Sequence, residues 1–302
     1  MSRVDQPELT ARVAEMLNRR AAVGMAVGVV RNGSLEYFYA HGLADIASKT
    51  PITPDTVFRV ASITKTFTAI AVMQLVEQGR IDLDAPASEY LRAFRLVPAK
   101  ASFRPATVRH LLTHTAGVSE VLHPSDLLRP LFGETVKPGR PVPPLSEYYR
   151  DGLRINAEPG TRFAYTDHGF AALGQIVSDM SGQPLDRYFS GHIFEPLGMT
   201  STSLIRTESA QPRLATGYAV RSAAPSLSPI TTWCRLLRHR CIPLRQTWRA
   251  TSPPFLAAAR TRTARCSARR RWPPCSSRIT SLIRGCQESA WHSGSAARAG
   301  TG

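Results

Sequence analysis

A chain of 302 residues can bury a core without disulfides or metals to staple it, and its formal charge of +16, taken whole, points to a nucleic-acid or acidic partner. The charge is unevenly spread: residues 1–221 carry 24 Lys and Arg against 21 Asp and Glu, whereas residues 222–302 carry 14 against 1. The first part therefore gives no electrostatic case for nucleic acid, and no window of the chain reaches the roughly 18 apolar residues of a membrane span.

Residues 7–20 repeat Leu9, Val13, Met16 and Leu17 on one face, which predicts a short amphipathic helix. The opening MSRVDQPELTARVAEML has no apolar leader, so a cytoplasmic location is expected. In GMAVGVVRNGSLEYFYAHG two β-rich runs meet at Asn32-Gly33, a pair suited to the positive φ angles of a type I′ turn, and an antiparallel hairpin follows. Next comes RVASITKTFTAIAVMQLVEQG, residues 59–79. Phe67, Ile70, Ala71, Val72, Met73, Leu75 and Val76 cover so much of its circumference that a buried helix is predicted, with Gly79 as its C-terminal cap.

Beyond that helix, IDLDAPASEYL reads as an exit loop and ATVRHLLTHTAGV as a short helix ended by Gly117. Residues 123–146, rich in proline and glycine, read as a long loop on the surface or over a cleft. EPGTRFAYTDHGFAALGQIVSDMSG predicts a turn at Pro159-Gly160, a brief extended piece, and a helix closed by Gly182. That helix places Phe170, Leu173, Ile176, Val177 and Met180 on one face.

From about residue 222 the character changes. The stretch 222–302 holds all four tryptophans and all five cysteines but no lysine, aspartate or tyrosine, and no helical or strand period persists. Cys234, Cys241, Cys266, Cys275 and Cys286 match no zinc spacing, and an odd number without a framework predicts no structural disulfide. A functional basic tail usually mixes lysine with arginine and does not collect Trp and Cys. The composition favours the other reading, a GC-rich gene translated out of frame.

The chemistry begins at the head of the buried helix, where Ser62 and Lys65 stand three residues apart and so share a face. A serine hydroxyl becomes a nucleophile when a base removes its proton. A lysine serves as that base when its ammonium deprotonates near neutral pH, about three pH units below its ordinary value of roughly 10.4, at a cost of about 4 kcal/mol. Burial at a helix N-terminus pushes that way, and the same N-terminus favours a developing oxyanion. The commoner arrangement for such a pair is a capping serine beside a solvated lysine.

Three runs decide between them: TPDTVFRVASITKTFTAIAVMQLVEQGRIDLD, TVRHLLTHTAG and PGTRFAYTDHGFAALGQIVSDMSGQPLDRYFSGHIFEPLGMTST. In order and spacing they resemble the serine β-lactamase and penicillin-binding-protein superfamily, especially the class C β-lactamase-related serine hydrolases and esterases, over about residues 10–220. The resemblance implies an α/β (α+β) fold, an antiparallel sheet flanked by helices plus a helical subdomain. It implies Ser62 as acylated nucleophile, Lys65 as its proton partner and Tyr165 as the group that passes the proton to the leaving group. The alternative for Tyr165 is a packed aromatic at a helix start. Asp167 stands where the family has an asparagine; it can accept hydrogen bonds but, ionised, cannot donate one to substrate, and beside Lys65 it favours the ammonium or forms an ion pair.

His110 and His114 invite a triad with Ser62, but in the family their stretch is a structural helix and turn, so hydrogen-bonded histidines are expected; His168 takes no role. The family's third motif, which contacts substrate, has a match in His292-Ser293-Gly294, making His292 and Gly294 substrate-binding candidates alongside Asp167. The expected organisation is a hydrolase domain over 7–221, short of the family's C-terminal strands, and an atypical tail over 222–302 that is disordered or out of frame. The resemblance implies a small-molecule ester, amide or lactam substrate, no cofactor and no metal. The leading expectation is a serine hydrolase acting on a small ester or amide. A β-lactamase or D-alanyl-D-alanine peptidase is the alternative enzyme, and an inactive binding protein or pseudogene product the alternative of another class.

Overall fold

Asn32 and Gly33 take φ angles of 51° and 77°, the left-handed pair that a tight hairpin needs. They join β1 (Gly24–Arg31) to β2 (Ser34–Asp45), which pair antiparallel from Gly24 opposite Gly42 to Arg31 opposite Ser34. β3 (Thr50–Pro51) adds to β2, giving the order β1-β2-β3. The amphipathic helix α1 (Gln6–Arg19) lies against this sheet, with Val13 buried and Thr10 Oγ1 2.9 Å from the Tyr37 hydroxyl. The structure, a computed structural model, describes residues 6–19, 22–122, 124–128, 135–136, 141–221, 224–227, 234–235 and 241–243. All lie within Met1–Ser252, the first of the two units into which the chain divides.

β4 (Val57–Arg59) leads through a tight turn, Ala61–Ile63, into α2 (Thr64–Glu77). Ala71, Val72 and Leu75 of α2 are fully buried and Phe67, Ile70 and Val76 pack beside them, so the apolar circumference of the sequence becomes core. Gln78 caps the helix and Gly79 follows with φ 70°. β5 (Leu96–Pro98) then precedes α3 (Val108–Leu112), which opens on a capping box between Thr107 and His110.

The predicted end of α3 at Gly117 is corrected. The helix stops at Thr113, and the chain reverses at His114, which itself takes φ 56°. Gly117, at φ 76°, is required for another reason. Its carbonyl accepts from Asn156 N at 2.8 Å, and a Cβ on it would run into the Ala157 carbonyl oxygen. Close backbone approach, not helix capping, demands glycine there.

The predicted long loop contains the short turn Pro124–Leu128, β6 (Thr135–Val136) and the start of α4 (Leu145–Tyr148). β7 (Leu153–Ile155) pairs parallel with β5, an exception to the antiparallel pattern. α5 (Asp167–Ser181) follows, with Ala172, Leu173, Ile176 and Val177 at zero exposure and Gly182 closing it at φ 73°. α2 and α5 pack together, and with α6 (Leu185–Phe189) they enclose the main core, in which Leu75, Leu173 and Phe189 are wholly buried. Each such side chain contributes about 1.5–3 kcal/mol by leaving water.

After α6 the chain returns to β4 and the hairpin, Ala215 N donating to Val57 O of β4 at 2.9 Å and Thr216 N to Ala44 O of β2 at 2.8 Å. β8 (Tyr218–Arg221) and β9 (Ala224–Leu227) form an antiparallel pair; β10 (Cys234–Arg235) pairs with β6, and β11 (Cys241–Pro243) with β4. Short strands thus occur past residue 221, where the sequence shows no strand period, because two to four residues are too few to establish one. Among the described residues no helix is long and apolar enough to cross a membrane.

Replacing Gly117 by alanine should destabilise the fold by about 2 kcal/mol or more, since the left-handed backbone penalises a Cβ and the Ala157 carbonyl leaves no room for one. Urea denaturation measures this, and an unchanged midpoint would contradict it.

Candidate active site

Ser62 sits half-buried in the turn between β4 and α2. The residue before it, Ala61, is held at φ 44°, a left-handed conformation that an alanine adopts only under constraint from its surroundings. The turn is closed by Ile63 N donating to Val60 O at 3.1 Å, and α2 continues directly from it with no side-chain cap. Ser62 is therefore not a capping serine. Lys65, one helical turn on, donates from Nζ to Ser62 Oγ at 3.2 Å.

The second side of the site comes from the segment before α5. Gly160 N donates to Thr115 O and Ala164 N to His114 O, each at 2.8 Å, pinning that segment to the turn after α3. Tyr165 then projects so that its hydroxyl donates to Ser62 Oγ at 2.8 Å. At 44% exposure Tyr165 is not a packed aromatic; its ring borders open space while its hydroxyl reaches inward. A serine oxygen, a phenol and an ammonium, brought together from positions 62, 65 and 165, can exchange a proton among themselves.

Thr166 caps α5 by accepting from His168 N at 3.1 Å, which makes Asp167 the first helical residue. Asp167 is 1% exposed and ion-pairs through Oδ1 with Lys65 Nζ, itself only 11% exposed. Its backbone N–H donates to Glu120 Oε2 at 2.7 Å. The Lys65 ammonium also lies 4.8 Å from the centre of the Tyr165 ring and 5.8 Å from that of Phe170, within cation–π range of both. A lysine held this way must pass a proton to Asp167 or break the pair before it can accept one from serine.

The histidines hydrogen-bond away from Ser62. His110 Nδ1 accepts from Thr107 N at 3.2 Å, and burial holds its pKa below the ordinary value. His114, 5% exposed, accepts at Nδ1 from Thr166 N at 3.2 Å. Burial first and the Lys65 charge second lower its pKa to about 4, with Asp167 opposing them, so the ring is neutral near pH 7. His168, 3% exposed, has its Nδ1 2.7 Å from the Tyr149 hydroxyl and its Nε2 3.2 Å from the Glu120 carbonyl oxygen.

Of the residues singled out in the sequence, Ser62, Lys65, Tyr165 and Asp167 are thus brought together. His292 and Gly294 lie outside the described residues, as do Cys266, Cys275 and Cys286; Cys234 and Cys241 fall on β10 and β11. Glu120 and Phe170 were not assigned to the site from sequence. Phe170 carried a signal, lying three residues after Asp167 on the predicted apolar face, but Glu120 carried none, being 47 residues from the backbone it binds.

Residues 9–252 match the family described as Beta-lactamase, a match that runs past residue 221 into the compositionally distinct stretch. Among curated proteins the chain is similar to Esterase EstB of Burkholderia gladioli, 33% identical over 68% of this chain and 54% of EstB. Among solved structures it is similar to the octameric penicillin-binding protein homologue from Pyrococcus abyssi, with a TM-score of 0.68 and 26% identity over 86% of this chain and 57% of that one. It is also similar to EstCE1, a hydrolase with promiscuous acyltransferase activity, with a TM-score of 0.63 and 28% identity over 74% of this chain and 58% of that one. The chain spans about half the length of the curated relatives it matches. With the family matched over well more than half of its residues, and with the mixed fold of those neighbours, the chain belongs to the Beta-lactamase family.

Proposed function

We propose that this chain is a serine hydrolase that forms an acyl-enzyme on Ser62 and hydrolyses a small ester or amide. The observation that carries the reading is the convergence on Ser62 Oγ of the Tyr165 hydroxyl at 2.8 Å and Lys65 Nζ at 3.2 Å. Similarity to EstB and EstCE1 supports an ester in preference to a lactam. Asp167 supports the same preference. Where an amide would donate to a bound substrate, it offers an ionised carboxylate that is already committed to Lys65.

In this mechanism Lys65 first passes a proton to Asp167; Oγ then bonds to the substrate carbonyl carbon as its own proton moves to the freed Lys65 amine, and the carbonyl oxygen takes up the negative charge. Collapse of the adduct expels the alcohol or amine, which receives the proton by way of Tyr165, the member of the trio on the open side. Water then enters from that side and adds to the acyl carbon as it passes a proton by way of Tyr165 to Lys65, and the second adduct collapses to release the acid as Ser62 Oγ takes that proton back. Return of the proton from Asp167 to Lys65 restores the starting ion pair.

The reading predicts a stoichiometric mass increase on incubation with a fluorophosphonate, abolished by Ser62→Ala, in intact-protein mass spectrometry. Parallel incubation with a penicillin separates an esterase from a penicillin-recognising enzyme, and a folded wild-type protein that takes up neither reagent would be an inactive relative. Ester turnover should fall about 10³-fold or more in Ser62→Ala. Tyr165→Phe should cost about 10²- to 10³-fold, the usual range for losing a positioned proton-transfer group.

Asp167→Ala should lower stability by about 3–5 kcal/mol, because it strands the Lys65 ammonium in a site 11% exposed. Thermal or urea unfolding reads this directly, and a change below about 1 kcal/mol would mean that the ion pair is dispensable.

A further inference from the structure

We infer that His114 is a positioning residue for Tyr165, its uncharged ring and its left-handed backbone together holding the tyrosine hydroxyl over Ser62. The inference rests on the acyl-enzyme reading for what Tyr165 does, but not for where Tyr165 sits. Three separate links join the two residues. The His114 carbonyl accepts from Ala164 N at 2.8 Å, fixing the residue before Tyr165. Its Nδ1 accepts from Thr166 N at 3.2 Å, fixing the residue after. Its ring lies against the Tyr165 ring itself, centroids 4.5 Å apart and tilted by 31°.

The arrangement meets a specific need. Tyr165 is 44% exposed, and a tyrosine at such a surface samples several rotamers unless one ring face has a wall to rest on. His114 is that wall and is itself held: it is 5% exposed, with Phe170 at 5.0 Å and Phe163 edge-on at 5.7 Å. Phe170 and Tyr165, which both contact His114, also flank the Lys65 ammonium, so one buried ring sets both aromatic neighbours of the lysine.

The hold depends on the ring being neutral. Because Nδ1 accepts from a backbone N–H, the proton of the neutral ring is on Nε2. Protonation at Nδ1 would end that acceptance and set a second cation beside Lys65; Asp167 is the charge that partly offsets it. These three groups face one another from the α3 turn, α2 and α5. The pKa of His114, lowered to about 4, keeps the hold intact at neutral pH and releases it in acid.

The test uses the full chain with 3-fluorotyrosine placed at position 165, read by fluorine NMR, and the rate of Ser62 labelling by a fluorophosphonate. His114→Asn keeps an acceptor for Thr166 N and tolerates the left-handed φ of 56°, so it removes the ring with least disturbance to the fold. The expected result is movement of the Tyr165 resonance toward that of free 3-fluorotyrosine, with labelling slowed about 10- to 100-fold. In a Tyr165→Phe background the same change should slow labelling less than twofold. His114→Phe, which keeps an aromatic ring but has neither the acceptor nor a titrating proton, should shift the resonance part of the way at neutral pH and remove its movement as pH falls through about 4. An unchanged resonance in His114→Asn, or an equal loss with and without the Tyr165 hydroxyl, would overturn the inference. Absence of any Ser62 adduct in the folded wild type would instead overturn the acyl-enzyme reading, and the resonance alone would then decide whether His114 holds Tyr165.

Discussion

Everything at this site is arranged around one buried ion pair, Lys65 with Asp167. The pair joins the first turn of α2 to the first turn of α5, the two helices whose packing makes the core. Both residues stand at helix N-termini, where the dipole favours the carboxylate and disfavours the ammonium, so the lysine depends on its partner for compensation. Removing water from the pair raises the cost of leaving either charge alone. The helices cannot slide past one another without separating these charges, and Ser62, on the turn before α2, is thereby kept in register with Tyr165, on the segment before α5.

The legible part of this architecture was local. Asn32-Gly33, the apolar circumference of α2, the Pro159-Gly160 turn and Gly182 each carry their physical reason within a few residues, and each appears in the structure. The Ser62–Lys65 contact was legible for the same reason, being one helical turn in length. The Tyr165–Ser62 contact spans 103 residues and follows from no periodicity; only resemblance to a family joined them. Glu120 was invisible because what it satisfies, the Asp167 N–H, is an orphan donor of a helix that begins 47 residues later.

The turn after α3 shows why a local reading also misassigns. Gly117 is a good helix terminator by propensity, but the chain had already reversed at His114, a residue that sequence rules place in the left-handed region only occasionally. What fixes the reversal is tertiary: the His114 carbonyl and ring are both engaged by the segment that carries Tyr165. A strained position of this kind persists where its neighbours over-determine it. Ala61, held at φ 44° immediately before Ser62, is a second instance at the same site.

Two strained residues, one supporting the serine and one supporting the tyrosine, have a common energetic source. Each costs about 1–2 kcal/mol, and burial of Leu75, Leu173 and Ile176 in the α2–α5 core, at about 1.5–3 kcal/mol apiece, offsets both. On the proposed reading the site is pre-set before a substrate arrives: oxygen, phenol and ammonium are within hydrogen-bonding distance, and Tyr165 borders open space. Geometry fixed in advance spares a reaction the ordering of its catalytic groups. On that reading specificity is set from the side that Tyr165 borders, because the other side is occupied by Asp167 and its partners.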